Sequence, residues 1–137
     1  MEYKLVVQGR MPDLNDYLKG ERIPIIKNKK CTTQGNDMKQ EHQNKVIACI
    51  RKQLLGLHIK KPIVIEYSFY ELNMARDLDN VASFAHKVVQ DALVKVGTIY
   101  DDNWKYVRGF SDKFYLDSEN PRIEILLKEV EDYGIKQ

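Results

Sequence analysis

Residues 61–97, KPIVIEYSFYELNMARDLDNVASFAHKVVQDALVKVG, decide the fold. The run from Ile63 to Tyr70 is rich in β-branched and aromatic residues and reads as a strand. Past it the apolar spacing lengthens to that of a helix. Val81, Phe84, Ala85, Val88, Ala92 and Val96 recur every three or four residues, broadened by Val89 and Leu93, which predicts an amphipathic helix. Asp79 or Asn80 is the expected cap and Gly97 the stop, so the helix reaches to about Lys95. A polar flank of Asn80, Ser83, Lys87 and Gln90 falls beside the apolar stripe.

Working outward, YKLVVQG at 3–9 reads as a strand, and MPDLNDYLKG at 11–20 as a turn into a short helix. Residues 19–37 are polar, basic and aperiodic, and are expected to form a flexible basic loop. From Met38 to Gly56 a helix is predicted, with Val46, Ile47, Ile50 and Leu54 at helical spacing. WKYVRGFSDKFYL and PRIEILLKEV complete the chain as strand-like runs, with Glu119-Asn120 marking the turn between them. The expectation is an α/β (α+β) single domain over 1–137, a small mixed β-sheet of about four strands with two main helices packed on it.

Composition fits a soluble globular protein: 43% of residues are hydrophobic, 31% charged, and glycine and proline are sparse. The opening MEYKLVVQG has too short an apolar run for a signal peptide, and no later stretch approaches a membrane span. Cys31 and Cys49 have neither metal-ligand spacing nor a disulfide framework, so a cytoplasmic setting is expected. Net charge is only +2, but its distribution is uneven. Residues 19–61 hold eleven Lys/Arg against three acids, a net +8, and the remainder eleven against seventeen, a net −6. Such a layout suits a polyanion-facing side with an acidic cluster elsewhere, and equally a solvated loop and helix face.

The acids gather in two places, RDLDN at 76–80 and YDDNW at 100–104. Residues i and i+2 of an extended segment point to one side, so Asp77 and Asp79 can aim at a common point. If the chain runs back beside the helix after Gly97, Asp101 or Asp102 joins them. Carboxylates converging without a basic partner repel, and demand either protons or a cation. Mg²⁺ is the fitting ion, with Mn²⁺ a substitute, because it takes one or two carboxylates plus water and phosphate oxygens. The alternative is that the acids only cap a helix and solvate a loop. His42, His58 and His86 stand alone and read as ordinary surface or flank residues.

These residues resemble the RusA family of Holliday-junction resolvases. The likeness rests on RDLDN, on a helix carrying DAL and closed by glycine, and on DD before a strand, with a looser match over the N-terminal third. It implies a Mg²⁺-dependent, structure-specific endonuclease of DNA recombination and repair. Such enzymes work as homodimers and nick four-way junctions symmetrically in two opposing strands. The family's metal ligands carry over to Asp77, Asp79 and Asp102, with Asp101 a near neighbour, and Asn80 fits the polar position after the second aspartate. One departure is plain. The family's lysine four residues past the second aspartate is Ser83 here, while Lys87 stands one helical turn later, on the same flank. The spacing to DAL and DD is longer by the same turn.

The expected mechanism has Asp77, Asp79 and Asp102 holding metal, with Lys87, or failing it Arg76, offsetting charge on the phosphodiester. Lys27, Lys29, Lys30, Lys45, Arg51 and Lys52 are expected to hold the DNA arms through phosphates. Phe69, Tyr70 or Met74 offers a wedge for the branch point but reads more readily as core, and Trp104 as packing. The first rival is a DNA-binding module of the same fold without chemistry. The second is a transferase holding a metal-nucleotide, for which no Gly-rich phosphate loop exists.

Overall fold

Strand β4 (Ile63–Glu71) forms where the branched run predicts it. Ile63, Ile65, Tyr67 and Phe69 are buried, and the alternate residues face outward only half covered. The computed structural model describes residues 1–131. Helix α3 (Leu78–Val96) follows with its predicted stripe buried against the sheet as far as Leu93 and half-buried at Val96, and Ala82 and Gln90 are buried with it. Its C-cap is Gly97 at φ +85°, a left-handed conformation that glycine adopts at no steric cost.

Ahead of these lie β1 (Glu2–Gln8), α1 (Leu14–Glu21), β2 (Pro24–Lys27), β3 (Lys30–Thr33) and α2 (Gln34–Gln53); β5 (Val107–Leu116) and β6 (Arg122–Glu129) come after. The main sheet runs β1-β6-β4-β5, antiparallel except for the β4–β5 pair. Three helices cover one face around a core that includes Leu5, Val46, Ile50, Ile65, Phe84 and Leu127. The other face carries charged pairs such as Lys4–Glu124 and Lys128–Glu66, both at 2.9 Å. The expected α/β architecture with a four-stranded mixed sheet is therefore present, with a third short helix and a second small sheet added to it.

One local expectation needs correction. Residues 19–37 are not a loop: α1 ends within them, β2 and β3 form an antiparallel hairpin, and α2 starts at Gln34, capped by Thr33. The hairpin turns at Asn28 and Lys29, whose φ values of 54° and 63° are the left-handed pair a two-residue turn requires. Its base is clamped where Gly20 of α1 meets Gly35 of α2, so closely that a Cβ on either would lie 2.7 Å from backbone atoms of the other helix. The strands β5 and β6 are not neighbours, because β4 lies between them. The expected Glu119-Asn120 turn thus carries the chain over the end of β4.

Candidate metal centre

Asp77 is the N-cap of α3: its Oδ1 accepts the backbone N–H of Asp79 at 2.9 Å. The cap sits two residues before Asp79, the earlier of the two positions expected from the sequence, so Asp79 falls in the first turn. There its negative charge faces the positive end of the helix dipole. Both carboxylates are exposed, and no partner of the Asp79 carboxylate is found among the described residues. Arg76 is turned away from them. Its guanidinium donates to both oxygens of Glu71 and to the carbonyl of Met11, while Arg10 reaches Glu71 at 3.3 Å. These bonds fix the 71–77 turn onto the loop after β1 and leave Arg76 a positioning residue.

The second pair is built as a turn. Asp101 accepts from the Asp102 backbone N–H at 2.7 Å and from the Asn103 side-chain amide at 3.0 Å. Asn103 in turn accepts from Lys105 N, Tyr106 N and Val107 N. The Asp102 carboxylate, half-buried, has no partner among the described residues. Each pair thus uses one aspartate for local structure and leaves the other available.

The two pairs do not converge within one chain, which corrects the expected three-carboxylate centre. Asp77 follows the C-terminal end of β4, whereas Asp101 and Asp102 precede the N-terminal end of β5. Since β4 and β5 are parallel, with Ile63 beside Val107 and Glu71 beside Leu116, these are opposite ends of the sheet. Eight residue steps of β4 separate them by roughly 26 Å, and the nineteen-residue α3 spans about the same distance. Among the described residues no group of three His, Cys, Asp or Glu side chains is arranged to hold a metal ion. Among the described residues of a single chain the donor set expected for Mg²⁺ is not brought together.

Lys87 is likewise displaced from its expected role. It pairs with Asp91 at 3.4 Å, one turn farther down α3, and stands eight residues, about 12 Å of helix, beyond Asp79. Asp91 also takes Lys39 of α2 at 3.6 Å. The basic residues divide in two. Lys27, Lys29 and Lys30 lie on the exposed hairpin, with Lys27 raised in pKa by its hydrogen bond to Asp37. Arg51 and Lys52 end α2, some 26 Å away along that helix. Lys45 donates to the carbonyl of Gln8 and so braces β1.

Of the wedge candidates, Phe69 is core and Tyr70 stacks on Tyr115 at 5.0 Å under the Arg122 guanidinium, but Met74 is 85% exposed. Trp104 is not packing, being 73% exposed. His86 is not a plain flank residue. Its Nε2 lies 2.7 Å from Asp112 of β5, and its ring rests on Tyr67 and Phe110. His86 and Asp112 lie 26 residues apart, so no local pattern announces the pair.

The sheet edges differ in a way that bears on assembly. On β1 the outward N–H and C=O of Val6 are both taken by the Gln53 side-chain amide at 2.8 Å, and Gln8 O by Lys45. On β5 no strand lies outside among the described residues, and Phe110 and Leu116 are exposed at 55% and 58%. Among the described residues no helix is long and apolar enough to cross a membrane. A scan against protein-family models finds none that matches the chain, and a search of curated proteins finds no match.

Proposed function

We propose that the protein is a Mg²⁺-dependent endonuclease acting as a two-fold homodimer on branched DNA, with four-way junctions as substrate and each metal centre shared between two copies. The observation that carries this reading is the placement of two available carboxylates, Asp79 and Asp102, at opposite ends of a sheet whose β5 edge is open. A second copy pairing antiparallel along β5 sets the start of its own β5 beside the end of the first. The partner's Asp102 then comes to the end that carries Asp79, and by symmetry the converse holds. Two strand spacings, about 10 Å, separate the turn bearing Asp77 from the partner's 101–106 turn. The edge, with no strand outside it among the described residues, supports the same dimer.

In this dimer Asp77, Asp79 and the partner's Asp102 are the metal ligands, with the partner's Asp101 shaping the turn. The ion, when bound, supplies charge stabilisation at the scissile phosphodiester. The chain's own residues do the rest. Arg76, held by Glu71, fixes the turn that presents Asp77. The hairpin lysines and the end of α2 contact phosphates of different duplex arms, as suits two patches set far apart. Two symmetric sites match two opposing strands.

Mixing two inactive variants tests the shared centre. Asp79→Asn and Asp102→Asn proteins are each expected to lack Mg²⁺-dependent nicking of a synthetic four-way junction. Co-expressed, half the dimers are mixed, and each mixed dimer keeps one intact site, so about a quarter of wild-type nicking returns. Absence of any recovery in verified mixed dimers refutes the shared centre.

A second reading, a junction-binding module without chemistry, is favoured by the capping of α3 by Asp77 and by the engagement of Lys87 with Asp91. It prevails if the wild-type protein binds junctions yet nicks none in Mg²⁺ or Mn²⁺.

A further inference from the structure

We infer that the turn before β5 carries a stacking site for an unpaired nucleobase, formed by Trp104 and Tyr100 beside the groove that Tyr106 walls. The inference rests on the DNA-binding reading above, not on the shared metal centre. Tyr100 is 78% exposed and Trp104 73%, so two of the chain's largest apolar surfaces face water. An exposed aromatic on a loose loop needs no explanation, but this turn is not loose. Asn103 accepts from three backbone N–H groups, Ile59 N donates to Thr98 O at 2.8 Å, and Ile63 N to Tyr106 O at 2.9 Å. The rings are therefore held out on a fixed backbone, so a ligand that covers them has little ordering entropy to overcome.

The surroundings select the ligand. A groove of about 450 Å³, lined by Ile59 and Ile99, is bordered by Tyr100 and Tyr106, whose rings pack on each other with centroids 5.2 Å apart. His58 and Lys60 line it as well. The Lys105 ammonium lies 5.5 Å from the Tyr106 ring, and the Arg108 guanidinium 6.0 Å from the Trp104 ring. Aromatic faces interleaved with cations are the chemistry of single-strand recognition, in which bases stack and phosphates meet the cations. Every base has a π-face, so the site accepts any base and selects for an unpaired one. A branch point offers such bases and an intact duplex does not. The same turn carries Asp101 and Asp102, which places the stacked nucleotide next to a carboxylate pair.

Trp104 is the only tryptophan, so its emission reports the site directly. The experiment titrates the full chain with oligothymidylate, with an abasic phosphodiester strand of equal length, and with blunt duplex, all in Ca²⁺ to prevent cleavage. Oligothymidylate is expected to quench Trp104 and shield it from acrylamide, while the abasic strand and the duplex leave its emission unchanged. Trp104→Ala should weaken oligothymidylate binding about 5- to 150-fold, Tyr100→Ala should weaken it too, and Trp104→Phe should largely retain it. Equal quenching by the abasic strand, or undiminished binding by Trp104→Ala, overturns the inference. So does emission already shielded from acrylamide in a concentration-dependent way without DNA, since a second copy then covers the ring. Loss of junction nicking with stacking intact counts against the nuclease alone.

Discussion

Asp77 has two roles that a pair of substitutions separates. As N-cap it satisfies one of the otherwise unpaired N–H groups of α3, that of Asp79 at 2.9 Å. Asp77→Ala removes both that bond and a charge at the positive end of the helix dipole, costing about 1–1.5 kcal/mol. For a chain of 137 residues the unfolding entropy makes each kcal/mol worth roughly 3–4 °C, so the midpoint should fall by about 4–5 °C. Asp77→Asn keeps the cap, because an amide oxygen accepts the same bond, and loses only the exposed charge. Its midpoint should move by less than about 2 °C. Metal binding sorts the variants differently, since an amide is a far poorer Mg²⁺ ligand than a carboxylate. Both variants should lose Mg²⁺-dependent nicking by about 100-fold or more. The assay pairs thermal unfolding with junction nicking on the same preparations. Asp77→Asn with wild-type nicking means that the carboxylate only caps the helix. An unshifted midpoint for Asp77→Ala means that the cap argument itself is wrong.

Other outcomes follow from single contacts. Gly35→Ala puts a Cβ 2.7 Å from Glu21 N and Tyr17 O, backbone atoms that cannot swing aside; the overpacking of about 1–3 kcal/mol exceeds the helix-propensity gain, and the unfolding midpoint should drop. Lys87→Ala removes a side chain already paired with Asp91 and remote from Asp79, so junction nicking should stay within about threefold of wild type, and a 100-fold loss overturns the displacement of Lys87 described above. Burial holds His42 below the ordinary imidazole pKa, so the unfolded chain takes up that proton at higher pH than the folded one. Stability from this group is complete above about pH 6.5 and declines as pH falls through that value toward the depressed folded pKa. His42→Gln should flatten denaturant-measured stability between neutral pH and pH 5 relative to wild type, and parallel profiles for the two proteins refute the assignment.

The division between local and tertiary information runs through particular elements. The amino-acid sequence alone was enough for β4 and α3, because a branched run, a helical apolar stripe and a closing glycine are all local signals, and they agree. It marked Asp77, Asp79, Asp101 and Asp102 as the acids to watch, and it foretold an α/β layer. The hairpin at 24–33 escaped it because four-residue strands are too short to show a period and the turn uses Asn-Lys where Asn-Gly is the usual signal. The exposure of Trp104, the bonding of Lys45 and Arg76 within the chain, and the His86–Asp112 pair depend on neighbours from distant segments. Tertiary structure alone decided whether the two acidic pairs meet. Strand pairing depends on contacts far apart along the chain, and nothing local says that β5 lies parallel to β4 with β6 on its other side. Once it does, a helix that returns the chain to the start of the sheet must carry the second pair to the opposite end from the first.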